Sequence, residues 1–154
     1  MKYFYRFLAI TLVFFGLTSC SSGYDNPNPA PNPNGITFKA VLNSTNEVPS
    51  NSSTATGTAT LTLDNVTKKV SIIVTYSGTT ATAAHIHNGI PAVSGPIIFA
   101  LTAGGGGTYP TTYSLSDQSI DATQETDLKA NNYYVNIHSA TYPNGEIRGQ
   151  LIKQ

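Results

Sequence analysis

From Ile36 onward, apolar and polar side chains alternate along the chain. "ITFKAVL" (36–42) sets Ile36, Phe38, Ala40 and Leu42 on one face. "GTATLTLD" (57–64) sets Ala59, Leu61 and Leu63 together with threonines opposite, and "KKVSIIVTYSG" (68–78) does the same for Val70, Ile72, Val74 and Tyr76. A period of two is the signature of half-buried antiparallel strands. Asp64-Asn65 are turn residues suited to a hairpin between the second and third of these runs. Further strands are predicted over 82–87, 96–102, 109–115, 133–138 and 145–152, with the glycine run 104–107 as a flexible loop. Only "DATQETDLKANN" (121–132) reads as helix, with Asp121 as cap, Gln124 at the capping-box position and Leu128 pointing inward. The expected fold is all-β, an antiparallel β-sandwich of about eight strands with one short helix.

The first 35 residues break this rhythm. Lys2 and Arg6 precede an apolar core from Phe7 to Leu17, which is too short to span a bilayer and right for a secretory signal over 1–19. "Leu17-Thr18-Ser19-Cys20" resembles the bacterial lipobox, in which cleavage leaves an acylated cysteine as the first residue. The only cysteine of the chain stands at the required distance from the apolar core, so Cys20 is the expected lipidation site. Several acyl chains hold far more firmly than one, at about 0.8 kcal/mol per buried methylene. After Cys20, prolines at 27, 29, 31 and 33 make 20–35 an extended, semi-rigid tether, which leaves 36–154 as the folded domain. The expected address is the bacterial cell envelope, outside the cytoplasm and on the outer membrane, with the lipid anchor as the membrane contact.

Charge narrows the partners. The chain has 154 residues, of which 10% are charged, with a formal net charge of zero. Loss of Lys2 and Arg6 with the signal leaves the remainder mildly acidic. No basic run exceeds Lys68-Lys69, so a nucleic-acid footprint is not expected.

The candidate chemistry lies in the histidines. His85 and His87 share one face of a strand over 82–87, and Tyr134, Asn136 and His138 share one face of a strand over 133–138. Glu146, Arg148 and Gln150 fall together on the last strand. If the three polar faces pair, His85, His87, His138, Glu146 and Arg148 form one patch.

"AAHIHNG", "SGPIIFALT" and "YYVNIHSATYPNGEIRGQL" resemble the CHRD domain, the module named after chordin and widespread in bacterial secreted proteins. The resemblance runs from about Ile36 to Ile152 and includes "FKAVLNSTNEVPS", similar to the opening strand of that family with its Glu-Val-Pro. Asn131-Asn132 stands where the family usually has a glycine before the tyrosine. The resemblance implies an all-β fold and, in chordin, an extracellular antagonist of growth factors; it implies no reaction.

Three readings of the patch stay open. His85, His87 and His138 form a three-nitrogen set able to hold zinc or copper with an open position. "HIH" is also similar to the His-x-His strand of copper/zinc superoxide dismutase, but this chain has only three histidines and no possible internal disulfide. Alternatively the same groups form a satisfied internal network, with no cofactor, in which Glu146 pairs with a histidine or Arg148 and Asn136 bonds backbone. The third reading is recognition of a protein or glycan by the loops "SGTTA", "NGIPAVSG", "AGGGGTYP" and "ATYPNG", with Tyr109, Tyr113 and Tyr142 as stacking residues. No nucleophile-base pair, nucleophile elbow, carboxylate pair or phosphate cradle is recognisable, so the protein is expected to be a binding or structural module and not an enzyme.

Overall fold

The computed structural model describes residues 33–104 and 112–154. The signal, Cys20 and the first part of the tether lie outside the described residues, as do Tyr109 and most of the glycine run.

Strand β1 (Gly35–Asn43) pairs along its whole length with β2 (Thr56–Asp64), and β2 pairs with β3 (Lys69–Ser77). The register stacks the apolar positions in rows across the three strands: Phe38 opposite Leu61 opposite Ile72, and Ala40 opposite Ala59 opposite Val74. All of them are buried, while Thr58, Thr60 and Thr75 stand outside. Each large apolar side chain removed from water in these rows contributes about 1.5–3 kcal/mol. The β2–β3 turn forms where Asp64 and Asn65 place it. Asp64 Oδ1 accepts from the amides of Val66 and Thr67 at 2.8 and 2.9 Å, and Lys68 closes the turn with φ of 57°.

The remaining strands are β4 (Ala81–Asn88), β5 (Ile97–Ala100), β6 (Thr102–Gly104), β7 (Thr112–Ser119), β8 (Tyr133–Ser139), β9 (Ile147–Gln150) and β10 (Ile152–Lys153). All pairings are antiparallel, and the order across the sheet is β5-β4-β8-β9-β1-β2-β3-β7-β6, with β10 on β1. The two edge strands, β5 and β6, are consecutive in the chain and separated only by Leu101. That residue is buried, and its amide donates to Ala84 O at 3.0 Å. The sheet is thereby nearly closed, a flattened barrel with one apolar interior, and the closure protects edges that would otherwise offer unpaired backbone.

The fold is all-β, as expected. Among the described residues the strand count is ten because two expected runs are interrupted: 96–102 breaks at Leu101 to pair with different neighbours on its two sides, and 145–152 breaks at Leu151. Of the run expected over 109–115, residues 109–111 lie outside the described residues, and 112–115 begin β7, which continues to Ser119. The helix α1 (Ala122–Lys129) carries the full capping box: Asp121 accepts from the Gln124 amide at 2.8 Å, and Gln124 accepts from the Asp121 amide at 3.0 Å. Leu128 is buried beneath it. Asn131 leaves the helix at φ 61°, a left-handed conformation that asparagine tolerates, so the turn survives without glycine.

Candidate functional site

Strand β8 is buried on both of its faces, unlike β2 and β3. Tyr133, Val135 and Ile137 enter the apolar interior, and Tyr134, Asn136 and His138 point the other way. There they meet the outward faces of β4 and β9. Cross-strand pairing sets His85 beside Asn136 beside Arg148, and His87 beside Tyr134 beside Gln150. His138 is opposite Ala83, whose small side chain leaves His138 free to reach its diagonal neighbour His85. Segments 43–53, 88–96 and 140–145 cover this face, so the sheet carries a second, polar layer outside its apolar one.

The three imidazoles come together. Their donor atoms lie within 4.8 Å of one another, and His85 Nδ1 is 3.0 Å from His138 Nε2. The backbone sets the tautomers. His87 Nδ1 faces Gly95 O at 3.0 Å and His138 Nδ1 faces Pro143 O at 3.0 Å. A carbonyl oxygen only accepts, so both Nδ1 atoms are N–H donors, and in each neutral ring Nε2 carries the lone pair. His85 Nδ1 then donates to His138 Nε2. His87 Nε2 is left as a buried acceptor without a partner. Burial first, then the neighbouring His138 and His87, hold His85 below the usual histidine range. Burial likewise lowers His87, with His138 and Arg148 adding to the effect and the Gly95 bond opposing it. The neutral, ligating form is therefore favoured at neutral pH.

Gly95 is where this arrangement demands glycine. A Cβ there would stand 1.6 Å from Asn88 O, so no other residue lets the loop press onto β4 and offer its carbonyl to His87. The same glycine donates its amide to the Tyr134 hydroxyl at 3.1 Å. Tyr134 stacks on His87 at 4.8 Å and 8°, and the Arg148 guanidinium sits 3.4 Å from the Tyr134 ring centroid. Arg148 also donates to Ile90 O at 3.0 Å. A desolvated cation over an aromatic face contributes about 2 kcal/mol, so this stack fixes the His87 ring plane.

Not every expected member joins. Glu146 precedes β9 and turns away from the histidines: its carboxylate accepts from Ser53 Oγ at 2.6 Å and from the Thr79 hydroxyl. Burial pushes its carboxyl up, but bonds from Ser139, Ser53 and Thr79 together bring it below the usual range. The expected pairing of Glu146 with a histidine or Arg148 is thus replaced by hydroxyl partners, which satisfy a buried carboxylate without a second charge. Asn136 does not bond backbone as expected: its Nδ2 donates to Glu47 Oε1 at 2.7 Å. Tyr113 is not a loop residue free to stack on a ligand, because it is buried against Tyr76 with ring centroids 5.9 Å apart.

The residue that the sequence reading passed over is Glu47, the acid of "NEVPS". It is buried, and burial raises its carboxyl to about 7 against the opposing Val48 amide bond and Arg148 charge. Gly145 crosses directly above it with φ of 140°, and a Cβ there would lie 2.5 Å from Asn136 Nδ2 and 2.8 Å from Glu47 Oε2. The signal in the sequence was the Glu-Val-Pro that resembles the family's opening stretch, which carries no periodic pattern. The loops 77–81 and 140–145, expected to serve recognition, flank an open groove of about 530 Å³ lined by Thr79, Thr82, Tyr142 and Glu146.

Residues 38–151 match the family model of the CHRD domain. The chain belongs to the CHRD-domain family. No curated protein and no solved structure matches it. Membership places the chain among extracellular-type binding or structural modules. The histidine cluster, the Tyr134–Arg148 stack and the Glu47–Asn136 pair all fall inside the matched span of the CHRD domain.

Proposed function

We propose that this protein is a lipid-anchored CHRD module of the bacterial cell envelope that acts by binding, without catalysis, and that its binding centre is a transition-metal site made by His85, His87 and His138. The observation that carries the metal reading is His87 Nε2. It is a buried lone pair oriented by the Gly95 carbonyl, left without a donor and gathered with two other imidazole nitrogens. An unsatisfied buried acceptor costs about 1–3 kcal/mol; Asn136 Oδ1 and the Tyr133 hydroxyl also lack a partner, and what sets His87 Nε2 apart is the two imidazole nitrogens beside it. The backbone carbonyls on His87 and His138 are the outer partners that ligating histidines need to hold their tautomer and ring direction. Support for the anchor comes from the lipobox-like Leu17-Thr18-Ser19-Cys20 and the proline-spaced tether behind it.

Elemental analysis after loading with zinc or copper and exhaustive dialysis tests the centre. Roughly one ion per chain is expected for the wild type, and a tenth of that or less for the His85→Ala, His138→Ala double variant. Equal retention by both proteins, or by neither, ends the metal reading. Mass spectrometry of the N-terminal peptide tests the anchor: a diacylglyceryl group on Cys20 is expected, and an unmodified thiol contradicts it.

A further inference from the structure

Apart from the histidine cluster, the buried polar layer holds more acceptors than donors at one point. Glu47 and Asn136 are 8% and 4% exposed. Asn136 Nδ2 donates to Glu47 Oε1 at 2.7 Å, while Glu47 Oε2 receives only the amide of Val48 at 3.4 Å. Asn136 Oδ1 has no partner. An ionised carboxylate offers about four lone-pair positions and an amide oxygen two, so a single strong donor serves three oxygens. Arg148, whose charge reaches Glu47, directs its guanidinium to Ile90 O and the Tyr134 ring instead. Burial therefore prevails at Glu47 and raises its carboxyl to about 7.

This point borders a cavity. Glu47 and Gly145 both line a space of about 270 Å³ between segments 47–51 and 141–145. A Cβ on Gly145 would stand 2.8 and 2.9 Å from the two carboxylate oxygens, so glycine at 145 keeps the space in front of both open. Val48, Pro49, Tyr142 and Pro143 contribute to the walls, and Glu47 is the only charged residue of the lining. The walls are tied together. Asn51 Nδ2 donates to Glu146 O at 3.0 Å, and the Ser52 and Tyr142 hydroxyls lie 3.4 Å apart. Sites for drug-sized ligands run to about 300–1,000 Å³, so this smaller, preformed one suits a group the size of one long side chain.

We infer that this cavity is a binding site for an alkylammonium group, the end of a lysine side chain or of a free amine, with its charge on Glu47 and its methylenes among Pro49, Tyr142 and Pro143. An ammonium carries three donors and no acceptor, which is what the oxygens of Glu47 and Asn136 lack. Its bond to a carboxylate is charge-assisted and strengthened by the low local dielectric. The site is separate from the histidine cluster and does not rest on the metal reading.

The test is a ¹⁵N–¹H titration of the full chain at about pH 8, where Glu47 is ionised and the amine still charged. The probes are n-butylammonium chloride, n-butanol, a short peptide bearing one lysine, and calcium chloride. n-Butylammonium is expected to shift the Asn136 side-chain amide and the Asn144 and Gly145 backbone amides along a saturable curve. Butanol, which has the stem without the charge, should bind at least roughly tenfold more weakly, and Glu47→Gln should weaken the amine by a similar factor. Circular dichroism verifies that the variant is folded, and the butanol comparison needs no variant. Peptide binding alongside the amine makes lysine the source, and binding of the amine alone makes it a free amine; both uphold the site. Butanol binding as well as the amine, undiminished amine binding by folded Glu47→Gln, calcium binding in place of the amine, or amides unmoved by the amine would each overturn it. None of these outcomes alters the metal reading.

Discussion

The two layers of this sheet obey the same alternation and end in opposite chemistry. Across β1, β2 and β3 every second residue enters the apolar interior and the others, mostly threonines in β2, face water. Across β4, β8 and β9 the inward residues are equally apolar, but the outward ones are roofed by three loops and become a buried polar layer. In the first region a polar outward residue is solvated and costs nothing. In the second each polar atom needs a partner. Nearly all find one: Glu146 among hydroxyls, Arg148 on Tyr134 and Ile90 O, Gln150 on the carbonyls of Gly89 and Asn131. The exceptions in this layer are His87 Nε2 and Asn136 Oδ1, and His87 Nε2 is the one that lies close to two more imidazoles.

Breaking the apolar layer should cost the most stability and the least specificity. Phe38→Ala, at a fully buried position, is expected to lower unfolding free energy by about 3–5 kcal/mol in denaturant titration, while the folded fraction keeps its metal. Gly95→Ala attacks the roof of the polar layer. With Asn88 O in the way of the new methyl, about 3 kcal/mol of stability is expected to go, and metal retention should vanish even in folded protein because the carbonyl that orients His87 is displaced.

Glu47→Gln sharpens the contrast through pH. Burial raises the Glu47 carboxyl to about 7 in the folded state from an ordinary 4.5, so between these values the folded chain holds more protons than the unfolded one. The contribution of this group to stability is present below 4.5 and is lost as pH climbs through 7. Glutamine stays neutral and can still accept from Asn136. Its variant is expected to lose roughly 2 kcal/mol less than the wild type between pH 4.5 and 8 in parallel denaturant titrations. An unchanged pH slope would show Glu47 ionised in both states. The smallest stability effect is expected for His87→Phe measured free of metal. Losing the Gly95 bond and losing an unsatisfied nitrogen oppose each other, so a change within about 1 kcal/mol is expected, together with loss of metal retention. A loss well beyond that would make His87 a structural residue.

Alternation made the apolar layer legible almost residue by residue, because burial on one face and water on the other is what a period of two encodes. The capping box of α1 was equally plain, since its signal is local. The histidine cluster was half legible: alternation gave the shared faces of His85, His87, His138 and Asn136, but strand adjacency and diagonal reach are tertiary facts. Glu146 misled because it sits one residue before β9, where its direction is set by the loop and not by the strand. Glu47 was hidden because it joins the layer from a loop, and a loop acid carries no periodic signature. The carbonyls of Gly95 and Pro143 have no side-chain trace at all, yet they set the protonation of two rings.

The account turns on the lone pair of His87 Nε2, and ¹⁵N–¹H correlation of the imidazole rings reads it directly. In metal-free protein near pH 7.5, His87 should appear with its proton on Nδ1 and a bare Nε2. Addition of zinc, chosen because it is diamagnetic, should shift Nε2 of His87 and His138 and move the His85 proton from Nδ1 to Nε2. A proton on His87 Nε2 in the free protein, or three ring spectra unmoved by saturating zinc, would contradict it.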